Sequence, residues 1–322
     1  MNLHISHKPF SFKLKRPLKT SQRLLIKKQG WLLHIHDKKG NIGWGEVAPI
    51  NSFELDLCAT IIDKLKQNVA REELESMIKV WPNSLNFGFG SALGEIDSLI
   101  GKSIKINWLK APRSCMLIPT NQSSFNIINR LTQRWKDKSG KFILKLKIGI
   151  LDHKQEKELI KKIFEHLPKN THIRLDANGG LSYKLANEWV EYLINEPKLE
   201  WLEQPLAPND LKGLNQLSKY IPIALDESLM FFPDLFKSWG SWQIRHPLFE
   251  GDPRKLLQEL HDGFPFRVIS TGFETGIGLR WIEHLAAIQT QGPTPTAPGL
   301  APGWCPKGDL FSRNPHSVWE AA

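Results

Sequence analysis

Two lysines separated by one residue stand in residues 142–148 (FILKLKI), which have the apolar composition of a β-strand. Side chains alternate across a strand, so Lys145 and Lys147 share one face while the apolar side chains share the other. Buried ammonium groups are costly unless something uses their charge or their proton. The stretch therefore predicts either a lysine pair in a functional site or an edge strand with a solvated lysine face, and it favours neither alone.

Acidic residues at the ends of later predicted strands decide between these two interpretations. Asp176, Glu203 and Asp226 end three consecutive strands, each one strand–helix unit after the last. A single such acid could be only a helix N-cap. Three carboxylates at one rim would repel each other unless a hard cation lay among them, and oxygen-only ligands suit Mg²⁺, with Mn²⁺ as the alternative cation. The ordered set after the lysine pair predicts a catalytic magnesium site.

Repeated strand–helix units after about residue 115 are the elements that must position these groups. We predict helices at about 153–166, 181–195, 210–219, 252–261 and 276–290, and strands at 115–118, 142–148, 172–176, 199–203, 223–227, 242–246 and 267–271. Repeated β-then-α units give parallel strands with right-handed crossovers. Seven such units in about 180 residues favour a closed barrel, in which catalytic groups lie at the carboxyl ends of the strands. No GxGxxG or P-loop motif supports a dinucleotide fold instead.

The N-terminal part of the chain has a different pattern. Strand-like runs at 23–27 and 31–36, split by Gly30, lead through a turn at 37–41 to another run at 43–46. This spacing predicts an antiparallel meander. Helical periodicity follows at 53–69, 71–80 and 91–100. We therefore predict a small α+β domain before the barrel, and an irregular tail at 293–306 after it.

Composition limits the classes of function. The chain has 322 residues and 41% hydrophobic content, enough for a substantial core. Its three cysteines lie far apart without a CxxC motif, which argues against disulfides and zinc clusters and fits a cytoplasmic location. No apolar run approaches the roughly 20 residues of a membrane span, and no signal peptide is evident. The net charge of +10 is scattered, which disfavours nucleic-acid binding and suits attraction of an anionic small molecule. Oligomeric state stays open.

Six motifs together resemble the enolase superfamily and, within it, the muconate-lactonising subgroup. They are Gly43-Trp44-Gly45-Glu46, Lys145-Leu146-Lys147, Asp176-Ala177-Asn178, Glu203-Gln204-Pro205, Asp226-Glu227-Ser228 and Ser270-Thr271-Gly272-Phe273-Glu274-Thr275. The resemblance covers nearly the whole chain. It implies an α/β fold, a (β/α)7β TIM-like barrel over residues 111–299 with an α+β capping domain over 1–110 that the tail at about 300–322 completes. It also implies removal of a proton α to a carboxylate to give an enediolate, a reaction class known for a lysine or histidine base with Mg²⁺.

The resemblance also implies roles for individual residues. Lys147 matches the acid/base, and Lys145 matches a companion that contacts the substrate carboxylate and keeps the pKa of Lys147 low. Asp176, Glu203 and Asp226 match the metal ligands. Asn178 and Glu227 match polar neighbours of these ligands, which could be only structural. Loops at 20–23 and 49–53 match segments that close over the substrate. The positions that match substrate contacts are Thr20, Arg23, Ser270, Thr271, Phe273 and Gly299.

One position departs from the subgroup pattern. Many members carry a lysine before a proline on the sixth barrel strand, where this chain has His246, preceded by Arg245. If the strand register is shifted by one residue, Arg245 rather than His246 takes the position of this lysine. Racemases and epimerases need a base on each face of the α-carbon, whereas a syn elimination needs one base and a positive group opposite it. The departure therefore favours dehydration of a small dicarboxylate over an N-acylamino acid racemase, dipeptide epimerase or cycloisomerase; a non-catalytic binding barrel is the remaining alternative.

Overall fold

The computed structural model describes residues 2–19, 24–100, 107–135, 142–168 and 170–322. Its contacts divide the chain into two units, the first made of Met1–Pro17, Leu25–Arg113 and Arg245–Ala322 and the second of Leu18–Leu24 and Ser114–Ile244. The predicted boundary at residue 110 lies near this division, whereas residues 245–299, predicted in the barrel, are grouped with the first unit. The domain assignment itself stays a prediction.

A four-stranded antiparallel sheet with the order β3-β2-β1-β4 begins the chain. Its strands are β1 Asn2–Lys19, β2 Leu24–Asp37, β3 Ile42–Val47 and β4 Asn68–Ala70. The predicted break at Gly30 is wrong, because β2 continues through it. A Cβ at Gly30 would lie 1.9 Å from the carbonyl oxygen of Val47, so this glycine permits close approach of another backbone segment.

Three helices accompany this sheet, namely α1 Ser52–Asp63, α2 Arg71–Ile78 and α3 Asn83–Ile96. Helix α1 is shorter than predicted, and α3 begins earlier than the predicted 91–100. The early turns of α3 contain glycines, which lower helix propensity. Gly88 nevertheless suits this position, since a Cβ there would lie 2.7 Å from Val47 Cγ2. Close packing of α3 against β3 therefore outweighs the local preference.

The second unit contains a parallel sheet with strand order β5-β6-β7-β8-β9. Its strands are β5 Met116–Ile118, β6 Phe142–Lys147, β7 Thr171–Asp176, β8 Leu199–Glu203 and β9 Ile223–Ala224. Its helices are α4 Ser123–Trp135, α5 His153–His166, α6 Tyr183–Leu193, α7 Leu211–Leu217, α8 Glu227–Phe231 and α9 Leu235–Ser238. Helix α5 has the predicted bounds, and Asp152 caps it by accepting from the backbone N–H of Lys154.

The apolar face of β6 packs into the core of the second unit. Leu144 and Leu146 are fully buried among side chains of neighbouring strands and helices. Lys145 and Lys147 alternate with them, as predicted. In the parallel register, Lys147 pairs with Asp176 on β7, and Asp176 pairs with Glu203 on β8. Three adjacent strands thus end in ionisable residues side by side.

The last part of the chain consists of short elements. They are β10 Gln243–Arg245, α10 Pro247–Glu250, α11 Pro253–His261, β11 Arg267–Ile269, α12 Gly276–Gln289, a 3-10 helix Asp309–Phe311 and α13 Pro315–Glu320. The tail at 293–306 contains no helix or strand, as predicted, although Gly299 forms a parallel bridge with Ser270. The carbonyl of Trp319 in α13 accepts a hydrogen bond from Lys8 Nζ at 2.8 Å, so the C-terminal helix joins β1.

Two further predictions concern the whole chain. The three cysteines, Cys58, Cys115 and Cys305, form no disulfide. Across the described ranges, we find no helix with the length and apolar character that crossing a membrane requires.

Candidate active site

The two lysines of β6 contact buried carboxylates at the ends of the next two strands. Lys145 Nζ lies 2.8 Å from Asp176 Oδ2 and 2.5 Å from Glu203 Oε1. Lys147 Nζ lies 2.5 Å from the same oxygen of Asp176. The side chains of Asp176 and Glu203 are completely buried. The alternative of a solvated lysine face is therefore wrong.

Burial and the neighbouring opposite charges shift the pKa values of these groups in opposite directions. Burial would lower the pKa of Lys145, but the carboxylates of Asp176, Glu203 and Asp226 outweigh it and raise that pKa above its usual range. Burial would likewise raise the pKa of Asp176, but Lys145 and Lys147 hold it well below its usual range. Burial, followed by repulsion from Asp176, raises the pKa of Glu203 to about 8. The cluster thus contains more buried negative charge than one lysine neutralises.

The three predicted metal ligands are not arranged as a three-carboxylate site. Lys145 lies between Asp176 and Glu203, and within the described ranges no three His, Cys, Asp or Glu side chains are placed to share an ion. Asp226, which is 8% exposed, is close enough for its charge to act on Glu203. The ligand set therefore stays a prediction.

Gln204 organises the chain around Asp226. Its Oε1 accepts hydrogen bonds from the backbone N–H groups of Asp226 and Ser228, both at 3.1 Å. Its Nε2 donates to Ser228 Oγ at 2.7 Å. The predicted strand 223–227 is wrong beyond Ala224, where β9 ends, and Asp226 directly precedes helix α8. Sequence reasoning gave Gln204 no role, although its position directly after Glu203 was a signal.

Asn178 and Glu227 form a second polar pair in this unit. Asn178 Nδ2 donates to Glu227 Oε1 at 2.9 Å, and the Asn178 N–H donates to Asp176 Oδ1 at 2.9 Å. Burial, with repulsion from Asp226 and Asp176, raises the pKa of Glu227 to about 7. Among the described residues, none provides a hydrogen-bond partner for the buried Oε2 of Glu227. The pair therefore supports Asp176 and leaves one oxygen without a protein donor.

The two candidates at the sixth-strand position differ in their contacts within the first unit. Arg245 is 3% exposed and pairs with Glu250 and Glu259, each at 2.7 Å. The backbone N–H of His246 donates to Glu250 Oε1 at 2.7 Å, and its ring lies 5.8 Å from that of Phe249. Two glutamates therefore hold Arg245, which makes His246 the better candidate for contact with a substrate.

The predicted substrate contacts Ser270, Thr271, Phe273 and Gly299 lie together in the first unit. Ser270 Oγ donates to the Gly299 carbonyl at 3.2 Å, and the Thr271 N–H donates to the same oxygen at 3.1 Å. The Phe273 N–H donates to Thr271 Oγ1 at 2.8 Å. The other two predicted contacts, Thr20 and Arg23, lie outside the described residues.

Comparison with known proteins finds a family model and solved structures that are similar to this chain. Residues 128–238 match the family model described as enolase C-terminal domain-like. The solved structure of o-succinylbenzoate synthase from Thermosynechococcus elongatus, complexed with Mg in the active site, superposes with a TM-score of 0.81 over 99% of this chain and 100% of that one, at 24% identity. The L-Ala-D/L-Glu epimerase of Bacillus subtilis superposes at 0.73 over 95% and 91%, at 19% identity. Residues 128–238 are thus similar to enolase C-terminal domain-like sequences. The solved structures confirm the expected α/β fold, a TIM-like barrel with an antiparallel capping domain.

The sequence relatives are more specific than the fold. The chain is 28% identical to the o-succinylbenzoate synthase of Thermosynechococcus vestitus over 286 residues, which are 84% of this chain and 85% of that protein. It is 27% identical to the o-succinylbenzoate synthase of Aliivibrio fischeri over 80% of this chain and 77% of that protein. This chain is therefore similar to o-succinylbenzoate synthases along most of its length.

Proposed function

We propose that the protein is an o-succinylbenzoate synthase, a carbon–oxygen lyase. It would convert 2-succinyl-6-hydroxy-2,4-cyclohexadiene-1-carboxylate to 2-succinylbenzoate and water, in the cytoplasm, on the way to menaquinone or phylloquinone. The observation that carries the proposal is the contact of Lys145 and Lys147 with the buried strand-end carboxylates Asp176 and Glu203. The similarity to synthases along most of the chain supports this substrate over others of the superfamily.

The donor chemistry of these residues suits a divalent cation. Asp176, Glu203 and Asp226 offer oxygen donors only, the set that Mg²⁺ prefers. Glu227 keeps a buried oxygen without a hydrogen-bond partner in the described part of the chain, near the charges of Asp226 and Asp176. When bound, Mg²⁺ (or Mn²⁺) would supply the positive charge that these carboxylates otherwise take from the lysines, and would stabilise negative charge on the substrate carboxylate.

Lys147 moves the proton in this proposal. Its neutral amine takes the proton α to the ring carboxylate; the bond from the neighbouring carbon to its hydroxyl then breaks, and the resulting ammonium returns the proton to the departing hydroxide as water. The ring becomes aromatic, which drives the reaction. Lys145 binds the substrate carboxylate, and His246 supplies positive charge that stabilises the intermediate. Ser270, Thr271, Phe273 and Gly299 contact the rest of the substrate.

A one-base elimination agrees with the side chain at the sixth strand. Arg245 is held by Glu250 and Glu259 and does not replace the lysine that a two-base racemase uses. The purified protein should therefore form the aromatic product with Mg²⁺ and lose this activity after chelation. It should not exchange the α-proton of N-succinylamino acids with inversion.

A matched pair of lysine variants tests the site. Lys147→Ala should lack turnover, whereas Lys161→Ala, on the exposed side of α5, should keep it. Turnover that survives exhaustive chelation would refute the metal assignment. Efficient racemisation of N-succinylamino acids without dehydration would refute the synthase assignment in favour of the racemase alternative.

A further inference from the structure

Glu46 on β3 is a buried carboxylate that binds the start of helix α12. Its oxygens accept hydrogen bonds from the Thr275 N–H at 3.0 and 2.9 Å, from Thr275 Oγ1 at 2.6 Å and from the Gly278 N–H at 3.0 Å. The carboxylate is fully buried. Glu46 therefore accepts hydrogen bonds from N–H groups that have no partner within the helix, and its carboxylate lies at the positive end of the helix dipole.

The backbone at this place is shaped for the carboxylate. A Cβ at Gly278 would lie 2.7 Å from Glu46 Oε2, so a side chain at this position would displace the Glu46 carboxylate. The adjacent Gly276 would likewise place a Cβ 1.8 Å from the Ser312 carbonyl oxygen. The first turn of α12 thus accommodates both Glu46 and the C-terminal segment.

The loop directly before α12 contains the proposed substrate contacts. Glu274 accepts hydrogen bonds from Thr271 Oγ1 and the Gly272 N–H, both at 2.5 Å. Phe273 has a φ of +65°, a left-handed conformation that a non-glycine residue adopts only when its surroundings impose it. The Gly299 carbonyl holds the start of this loop by accepting from Ser270 Oγ and the Thr271 N–H, so Thr275 fixes its other end.

We propose that Glu46 is a positioning residue: by binding Thr275 and Gly278, it holds loop 270–275 in the conformation that contacts the substrate. The inference rests on the proposed function, in which Thr271 and Phe273 contact the substrate. Glu46 acts through the loop and touches no reacting group.

A second buried carboxylate offers a matched control. Glu95 on α3 pairs with Arg280 of the same helix α12 at 2.8 Å. This contact lies beyond the first turn and does not include the loop. Loss of either carboxylate should lower the urea midpoint, but only loss of Glu46 should change how the loop binds substrate.

The kinetic test compares Glu46→Gln with Glu95→Gln. The glutamine amide removes the charge and places a donor where Glu46 Oε1 accepts from the Thr275 N–H, so the anchor of the loop is weakened. We expect Glu46→Gln to raise KM about tenfold with little change in kcat, because a binding contact shared by ground and transition state is lost. Glu95→Gln should leave KM unchanged. Equal KM values in both variants and the wild type would overturn the proposal.

Amide hydrogen exchange of residues 270–278 tests the anchor without any substrate. Exchange should be faster in Glu46→Gln and unchanged in Glu95→Gln; unchanged exchange in both would overturn the positioning role. A wild type that turns over no substrate would refute the proposed function, while the exchange result would still decide the role of Glu46.

A second pair of variants covers failure of Glu46→Gln to fold. Thr275→Val removes the hydroxyl that donates to Glu46 and accepts from the Ile277 N–H, and Thr275→Ser keeps it. Faster exchange at residues 270–274, which precede the capped helix, in Thr275→Val alone supports the anchor. Identical exchange in both variants overturns it.

Discussion

Lys145→Met removes the cation that lies between two buried carboxylates while keeping a side chain of similar length. In the wild type, Lys145 Nζ lies 2.8 Å from Asp176 Oδ2 and 2.5 Å from Glu203 Oε1, and the lysine side chain is 14% exposed. Methionine packs into the same space without charge. Glu203 then loses its ion-pair partner, because Lys147 contacts Asp176 rather than Glu203.

The magnitude follows from this geometry. Removing one partner of a buried ion pair costs about 3–5 kcal/mol, because the remaining charge is left uncompensated. Since Lys147 still contacts Asp176, we expect the lower end, about 3 kcal/mol less free energy of unfolding. At about 2 °C per kcal/mol for a chain of this size, Tm should fall by about 6 °C.

The assay is urea and thermal unfolding with and without Mg²⁺, with Lys161→Met as the control on an exposed helix surface. Mg²⁺ should raise the Tm of Lys145→Met more than that of the wild type, because in the wild type the ion must displace an ammonium group from Asp176 and Glu203. Wild-type stability in Lys145→Met would refute the role of the ion pair. Equal Mg²⁺ effects in both proteins would mean that these carboxylates are not the cation site.

Further predictions concern the base, the sixth strand and acid stability. Lys147→Arg should be nearly as inactive as Lys147→Ala in a turnover assay, since a guanidinium does not release its proton near neutral pH, and activity in either would move the base elsewhere. His246→Lys should stay within about tenfold of wild-type turnover, roughly 1.4 kcal/mol, and His246→Ala should lose more; a harmless His246→Ala with a crippling Arg245→Ala would reverse their roles. Burial lowers the pKa of His284 to about 4, and its Nδ1 accepts a hydrogen bond from the Leu109 N–H. The unfolded histidine takes up a proton below about pH 6.5 while the folded one does not, so the free energy of unfolding should fall by about 2 kcal/mol from pH 7 to 5, and His284→Gln should flatten this slope in urea titrations.

The central cluster could be predicted from the sequence because its arrangement follows rules that apply within a strand and at its end. Strand alternation placed Lys145 and Lys147 on one face, and the strand-end rule brought Asp176 and Glu203 beside them. Where backbone geometry depends on distant partners, the same rules failed. Periodicity extended β9 through Asp226 because it contains no information on the two N–H groups that the Gln204 side chain binds.

Glycine shows a second physical limit. A glycine between two strand-like runs usually marks a turn, and Gly30 was assigned accordingly. The structure uses it for contact with the Val47 backbone instead. Sequence spacing does not distinguish these uses, because the deciding atom belongs to another strand. The contact of Glu46 with α12 was missed for the same reason, since its partners lie 229 and 232 positions away.

The first unit is assembled from both ends of the chain, which has a consequence for biosynthesis. Its N-terminal strands leave the ribosome long before Thr275, Arg280 and Trp319, whose partners Glu46, Glu95 and Lys8 are 229, 185 and 311 positions earlier. The early segment therefore keeps its apolar surface exposed while residues 114–244 are translated. Contacts of such high sequence separation slow folding and prolong the aggregation-prone interval. Nascent chains arrested before residue 245 should consequently engage chaperones through the β1–β3 region, whereas the continuous segment 114–244 is free to fold as it emerges.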